Sequence, residues 1–212
     1  MLSIKSFTFN PLRENTYVIY NEQGWCAIID PGAYFNFEQN DLKSFIEREQ
    51  LQPKYLLNTH CHLDHVFGNR FVADTWQLPL YIHPLEKELL QLAPAMAVQW
   101  GMPFEGYEGP LHFLQPGNQL KLGNDLLDIL FTPGHSPGSV CFYCAAQRFV
   151  ISGDVLFYES IGRTDLPGGD HATLLQSIRS ELWPLPDDLT IYPGHGPSTT
   201  LAHEKEHNPF LH

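Results

Sequence analysis

The segment Thr59-His60-Cys61-His62-Leu63-Asp64-His65 concentrates side chains that bind metal ions. Imidazole and carboxylate groups together suit zinc, iron and manganese. In an extended loop alternate side chains share a face, so His60 and His62 can converge on one ion. Asp64 and His65 lie beyond them and are better placed for a second ion nearby. Without a metal these groups would form a costly polar patch beside an apolar strand, so we predict a metal site here.

Three later loops each place one more potential ligand directly after a predicted strand. They are Pro133-Gly134-His135, Gly153-Asp154 and Pro193-Gly194-His195. Glycine beside each ligand lets backbone and metal approach closely, and proline stiffens the two turns that contain it. Together with the first cluster, these loops give seven candidate ligands. That number suits two metal ions that share one carboxylate.

The remaining histidines lack such settings, and we expect them to be ordinary surface or helix-end residues: His83, His112, His171, His203, His207 and His212. Cys141 and Cys144 have the spacing of half a zinc knuckle. They lie in a predicted strand, however, where residues three apart face opposite sides. We therefore predict no metal role for this pair.

Composition narrows the possible functions. The chain has 212 residues, of which 43% are apolar and 17% charged, as in ordinary globular proteins. No linker divides it, so we expect a single domain over residues 1–212. The net charge of −12 disfavours nucleic acid as a partner, because phosphate binding needs basic surfaces. Residues 1–7 alternate like a strand rather than a signal peptide, and no segment approaches the roughly 18 apolar residues of a membrane span. The sequence thus predicts a cytoplasmic protein with no membrane partner.

The elements that must position the ligands follow a repeated order. Strands are predicted at residues 4–9, 16–20, 25–29, 54–58, 80–82, 126–131, 140–145, 148–152 and 189–192. Helices are predicted at residues 37–50, 67–76, 170–182 and 201–207, with Asp170 as the N-cap of the third. Residues 84–109 should be helix and loop that either line the site or extend the core. Two blocks of strands, each followed by strand–loop–helix units, favour two packed sheets with helices outside.

The ligand motifs, taken in order, resemble the metallo-β-lactamase superfamily over nearly the whole chain. The resemblance implies an α/β fold of the αββα sandwich type, with two mixed β-sheets, helices on the outer faces and the metal site at one edge. Within the superfamily the chain is similar to the glyoxalase II group, the hydroxyacylglutathione hydrolases. The local matches are residues 153–157, 162–165, 193–197 and 208–210.

The resemblance also implies a role for each ligand. The first metal is expected on His60, His62 and His135, and the second on Asp64, His65 and His195. Asp154 is expected to bridge the two ions. Zinc is the expected metal, with iron or manganese as alternatives, because nitrogen and oxygen donors accept all three. His62 argues against the diiron oxidases, which usually carry Glu there. Asp154 argues against the β-lactamases, many of which carry Cys and which are typically secreted.

Two departures from glyoxalase II concern the substrate. Full-length members of that group continue into a helical region that supplies much of the glutathione site, whereas this chain ends soon after its last ligand. Arg163 aligns with a lysine that contacts a glutathione carboxylate, but Asp165 stands where a substrate-binding tyrosine is usual. Arg163 is therefore expected either to bind a substrate carboxylate or to form a structural pair with Asp165.

The expected activity is hydrolysis of a small-molecule thioester such as S-lactoylglutathione, by a hydroxide shared between the two metals. A thiol has a pKa of about 8.5, so it can leave as the thiolate without a proton donor. Asp64 is expected to accept or relay a proton, and Asp154 to hold both metals during the reaction. The alternatives are a persulfide dioxygenase with one iron, a lactonase or other ester hydrolase, and a non-catalytic metal-binding module.

Overall fold

A computed structural model of the chain describes residues 1–211. His212 lies outside the described residues, so the expectation for that histidine is not addressed. Six strands form the first sheet, in chain order β1 to β6: Leu2–Phe9, Glu14–Asn21, Trp25–Ile29, Gln52–Leu57, Leu80–Ile82 and Leu111–Phe113. The first three are antiparallel neighbours, and the last three continue the sheet in parallel, so the sheet is mixed.

The second sheet also has six strands, in the order β14-β13-β10-β9-β8-β7. Their ranges are β7 Gln119–Leu122, β8 Asp125–Phe131, β9 Val140–Cys144, β10 Phe149–Gly153, β13 Thr190–Pro193 and β14 Thr199–Thr200. Strands β11 (Leu156–Phe157) and β12 (Ser160–Ile161) form a separate hairpin. Strands β10 and β13 are parallel and the other neighbours are antiparallel. The second sheet is therefore mixed as well.

Residues 1–211 contain six α-helices, five between strands and the last after β14. They are α1 Asn36–Arg48, α2 Leu63–Val66, α3 Asn69–Trp76, α4 Lys87–Gln99, α5 His171–Ser177 and α6 Leu201–His207. A π-helical turn, Ile178–Leu182, extends α5. Asp170 caps α5 as predicted, since its carboxylate accepts the backbone N–H of Thr173 at 2.7 Å. No helix within residues 1–211 is both long and apolar enough to cross a membrane.

Successive side chains of each strand face opposite sides of the sheet, so the core has three layers: one between the two sheets and one between each sheet and its helices. This is the predicted αββα sandwich. On β2, Val18 packs toward α1, α3 and α4, whereas its neighbour Ile19 packs between the two sheets. On β9, Phe142 faces the first sheet, whereas Cys141 packs under α5. Complete burial of a valine, isoleucine or phenylalanine side chain stabilises the fold by about 1.5–3 kcal/mol. Cys144 also points between the sheets, so the two cysteines face opposite sides as predicted.

The carboxyl ends of several strands meet at one edge of the sandwich. Strands β8, β10 and β13 of the second sheet run in the same direction, and each is followed by a loop at this edge. Strands β3 and β4 of the first sheet end at the same edge. The backbone N–H of Val140 donates to the carbonyl of Thr59 at 2.9 Å, and the hydroxyl of Tyr17 donates to the carbonyl of Pro193 at 2.7 Å. These bonds join the two sheets where the candidate ligands lie.

Candidate metal centre

Three histidines from two loops form the first group of the centre. His60 and His62 follow β4, and His135 follows β8. His62 Nδ1 lies 2.8 Å from His135 Nε2, which lies 3.2 Å from His60 Nε2. All three side chains are buried. Three imidazole nitrogens thus face one point, as predicted from the spacing.

The second group combines Asp64, His65 and His195. The chain after His62 does not stay extended as the sequence suggested, because Leu63–Val66 forms the one-turn helix α2. This turn directs Asp64 and His65 toward the loop after β13. Asp64 Oδ2 lies 3.1 Å from His195 Nε2 and 3.8 Å from His65 Nε2. The ligand atoms of this group all lie within 4.8 Å of one another.

Asp154 lies between the two groups. Its Oδ2 atom is 3.5 Å from His135 Nε2, in the first group, and 3.6 Å from His195 Nε2, in the second. Its Oδ1 atom is 3.4 Å from His65 Nε2. A single carboxylate thus faces both groups, and the structure brings all seven predicted side chains to one place.

The chemistry of this donor set fits divalent metal ions. Nitrogen and oxygen donors suit zinc, iron and manganese. His65 Nε2 and Asp154 Oδ1 are buried without a hydrogen-bond partner, which is costly for polar atoms unless a ligand completes them. If neither nitrogen carried a proton, the lone pairs of His62 Nδ1 and His135 Nε2 would repel each other at this short distance. A proton or a cation between them is therefore required.

The two groups differ in their protonation. Burial and neighbouring histidines lower the pKa of His60 and His62, in the second case to about 3. Burial likewise lowers the pKa of His135. Neutral imidazole is the form that binds metals, so the first group is ready to do so. In the second group, burial alone would lower the pKa of His65. The carboxylates of Asp154 and Asp64 outweigh burial and raise this pKa above its ordinary value.

The carboxylates remain ionised in this setting. Burial alone would raise the pKa of Asp154, but the charges of His65, His135 and His60 hold it well below its ordinary value. Burial would also raise the pKa of Asp64, but the charge of His65 and a hydrogen bond from His195 outweigh it, so this pKa is lowered. Two negative charges therefore remain at the centre at neutral pH.

The ring nitrogens that point away from the centre are held by protein groups. His135 Nδ1 lies 2.7 Å from the carbonyl oxygen of Arg163, and His195 Nδ1 lies 3.2 Å from that of Arg13. His60 Nδ1 lies 3.1 Å from the hydroxyl of Thr59. Such outer contacts fix the orientation of metal-binding histidines.

Asp30 holds one of the candidate ligands and was not predicted from the sequence. Its carboxylate lies 3.2 Å from His65 Nδ1 and also accepts the backbone N–H of Thr59 at 2.7 Å. A signal was present, because Asp30-Pro31-Gly32 follows β3 just as the other proline–glycine loops follow their strands.

Glu86 is a second missed residue, and it connects the loops that carry the first group. It is fully buried, and its carboxylate accepts the backbone N–H groups of Cys61 and Gly138 and the hydroxyl of Ser136, each at 2.7 Å. Cys61 stands between two histidines of the first group, and Ser136 follows the third. A lone glutamate before α4 gave no signal in the sequence.

A cleft of about 410 Å³ opens onto the centre. Five of the seven candidate ligands line it, together with Arg163 and apolar side chains from α4 and nearby loops. Both predictions for residues 84–109 are thus met, because Met96 of α4 lines the cleft and Ala97 packs in the core.

Arg163 and Asp165 form the pair that the sequence left as one of two alternatives. Both nitrogen–oxygen contacts of this bidentate pair are 2.7 Å, and both side chains are more than half exposed. Arg163 nevertheless lines the cleft, so the pair does not remove it from the site. The other described histidines lie elsewhere; for example, His203 pairs with Glu159 at 3.0 Å.

Comparisons with known proteins agree with this architecture. The sequence profile of the metallo-β-lactamase superfamily matches residues 9–195. A probable metallo-hydrolase of Bacillus subtilis is 39% identical over 95% of the chain and 93% of its own length. The hydroxyacylglutathione hydrolase GloC of Haemophilus influenzae is 38% identical over 99% of the chain and 98% of its own length.

Two solved structures are similar over almost their full length. The crystal structure of the B3 metallo-β-lactamase BLEG-1 has a TM-score of 0.90 and 40% identity, and covers 99% of each chain. A protein crystallised in a di-iron-bound form, TTHA1623, has a TM-score of 0.89 and 39% identity, over 98% of this chain and 100% of its own.

Proposed function

The chain belongs to the metallo-β-lactamase superfamily, and from that premise we propose that it is a dinuclear metallohydrolase of thioesters such as S-lactoylglutathione. One observation carries the dinuclear part of the proposal. The carboxylate of Asp154 faces His135 of the first group and His195 of the second, at 3.5 and 3.6 Å. A carboxylate placed in this way suits a bridge between two cations.

In this proposal His60, His62 and His135 would hold the first metal, Asp64, His65 and His195 would hold the second, and Asp154 would be shared between them. Zinc is the proposed metal, with iron or manganese accepted by the same donors. When bound, two such ions lower the pKa of water and offset negative charge on a substrate carbonyl. The di-iron-bound relative supports a two-metal centre in this fold.

The protein's own groups have three further tasks. Asp64 lines the cleft and is ionised at neutral pH, so it accepts or relays the proton released from the attacking water. Asp154 keeps the two groups together through both of its oxygens. The outer contacts of the histidines, above all that of Asp30 with His65, keep the ring nitrogens aimed at the centre. Because a thiol leaves readily as the thiolate, no further acid is needed.

Arg163 is proposed to bind a carboxylate of the substrate. It is the cationic side chain among those that line the cleft. Asp165 holds its guanidinium by two atoms, which fixes the direction of the group while leaving more than half of it exposed. A guanidinium presents further donors in the same plane, so a second carboxylate can bind.

The choice of a thioester is supported by the relative in Haemophilus influenzae, which is named a hydroxyacylglutathione hydrolase. The metal centre alone would equally serve a lactone or another ester. We also propose that residues 1–212 act as one domain on a small-molecule substrate. The net charge of −12 supports a substrate other than nucleic acid.

The test is elemental analysis of the purified protein combined with assays of three reactions. We expect two metal ions per chain and hydrolysis of S-lactoylglutathione. Replacing Asp154→Ala should abolish binding of two ions and most of the turnover. Oxygen uptake with glutathione persulfide by a protein with one iron would favour the dioxygenase instead. Rapid opening of a β-lactam without thioester cleavage would favour a β-lactamase, the activity in the name of the similar B3 structure.

A further inference from the structure

The walls of the cleft differ sharply in chemistry from its floor. The floor is made by ligand residues, including Asp64 and Asp154. The walls carry apolar side chains from four separate parts of the chain: Leu12, Leu89, Met96, Trp100, Phe157 and Leu166. Polar recognition groups are scarce there, because Arg163 is the charged side chain of the lining that does not belong to the metal centre.

Several of these apolar side chains remain accessible to water. Trp100, at the end of α4, is 56% exposed, and Met96, Phe157 and Leu166 are partly exposed. Ala93 and Ile161, deeper in the same lining, are buried at 1% and 8%. An apolar surface that converges on a cleft in this way is a site where a ligand gains affinity by removing it from water.

The single cation cannot supply much selectivity by itself. Arg163 is already paired with Asp165, and both are more than half exposed, so solvent screens the attraction for a further anion. A substrate that carried only polar groups would leave the apolar walls uncovered. Discrimination between thioesters must therefore come mainly from the part of the substrate that lies against these walls.

We propose that the preferred substrates are thioesters with an apolar acyl chain of several carbons, and that Met96 and Trp100 determine this preference. The inference rests on the proposed thioesterase function and narrows its substrate class. In this arrangement the carbonyl lies at the metal centre, and the acyl chain lies along α4. The thiol portion extends toward Arg163, where a carboxylate such as that of glutathione can bind.

Binding of inert analogues tests the apolar subsite without any turnover. The probes are S-methyl-, S-butyl- and S-hexylglutathione, titrated into the metal-loaded protein by calorimetry. Each buried methylene should strengthen binding by about fourfold, so the hexyl compound should bind at least tenfold more tightly than the methyl compound. Equal affinity for the three compounds would overturn the proposal.

Two variants assign the subsite to named residues. Trp100→Ala and Met96→Gln should each weaken binding of the hexyl compound by about fivefold to tenfold and leave the methyl compound unchanged. The matched control is Leu92→Ala, since Leu92 is also on α4 and 47% exposed but does not line the cleft. Thermal unfolding checks that the variants fold. If the control matched the two variants, or if neither variant weakened hexyl binding, the assignment would be wrong.

Turnover separates this inference from the function on which it rests. The substrates are S-acetyl-, S-butanoyl-, S-hexanoyl- and S-lactoylglutathione, compared by kcat/KM. We expect kcat/KM to rise with chain length, and the hexanoyl compound to exceed the lactoyl compound by at least tenfold. Fastest cleavage of the lactoyl compound would overturn the apolar subsite and leave the thioesterase intact. Cleavage of none of the four by protein that holds two metals would overturn both.

Discussion

The carboxylate of Asp30 lies 3.2 Å from Nδ1 of His65, so a residue at the end of β3 orients a histidine of the second metal group. The same carboxylate accepts the backbone N–H and the hydroxyl of Thr59 and the amide of Asn58. It therefore fixes both the direction of the His65 ring and the start of the loop that carries His60 and His62.

Replacing Asp30→Asn should weaken binding at the second metal group. The amide offers one acceptor where the carboxylate offers two, so at least one of these contacts is lost. Loss of an outer contact of this kind typically lowers metal affinity about 10–100-fold. Competition with a chelator measures the effect. Asp41→Asn, the same change on the exposed surface of α1, is the control, and equal retention of both metals in the two variants would contradict the role of Asp30.

Gly194→Ala should disrupt the shared carboxylate. A methyl group at this position would overlap Asp154 Oδ1 and lie 2.8 Å from His65 Cε1, so both side chains must move. Displacement of about 1 Å at a reacting site can reduce the rate roughly 100-fold. Metal content should fall below two per chain while the far-ultraviolet circular dichroism is unchanged. Ser198→Ala, an exposed change in the same loop, should keep both metals; wild-type turnover in Gly194→Ala would refute the crowding argument.

Glu86→Gln should destabilise the fold. Glu86 accepts three hydrogen bonds from two loops, and the amide of glutamine would place a donor against one of these donors. Leaving such a buried group unsatisfied costs about 1–3 kcal/mol. Urea unfolding measures the loss. Exposed Glu88→Gln, on α4, serves as control and should be nearly neutral.

The loss from Glu86→Gln should also depend on pH with a defined sign. Burial, and the nearby charge of Asp30, raise the pKa of Glu86 despite its hydrogen bonds. Because the pKa is higher in the folded state, the carboxyl contributes its full stabilisation at a pH below its pKa in the unfolded chain. This stabilisation is lost as the pH rises through the pKa of the folded state. The difference in unfolding free energy between wild type and variant should therefore be larger at pH 4 than at pH 8. The opposite trend would show that the pKa is not raised.

Arg163→Ala should raise KM for an acidic thioester and leave the melting temperature nearly unchanged. The pair with Asp165 is exposed, so its contribution to folding is small, and its attraction for a substrate carboxylate is worth about twofold to fivefold in KM. The measurement compares S-lactoylglutathione with the lactoyl thioester of N-acetylcysteamine, which has no carboxylate. Equal changes for both substrates would indicate a purely structural pair.

The seven candidate ligands could be selected from the sequence because each has a local signal. His60, His62, Asp64 and His65 fall within six residues, and each later ligand follows a strand that ends at a glycine turn. Strands of this kind are strongly apolar, so their ends could be located. The order of the motifs then supplied the superfamily, and with it the predicted sandwich that the structure and its relatives bear out.

Other features could not be read because they depend on long-range contacts. Glu86 lies 25 and 50 residues from two of its partners, Cys61 and Ser136, and no local pattern marks it. The short strands β6, β11 and β14 have two or three residues each, too few for a periodic signal, and exist because a neighbouring strand pairs with them. Helix α2 has only four residues, so the bend that separates Asp64 and His65 from His62 was missed.

Asp154 and the two groups beside it are proposed to hold a pair of cations that together cleave a thioester. Stepwise addition of Zn²⁺ to metal-free protein, with hydrolysis of S-lactoylglutathione followed at each step, tests it most directly. We predict that the rate rises until two equivalents per chain are bound and then stays constant. A rate that reaches its maximum at one equivalent would show that the second cation is not needed, and no hydrolysis at any Zn²⁺ concentration would rule out the thioesterase.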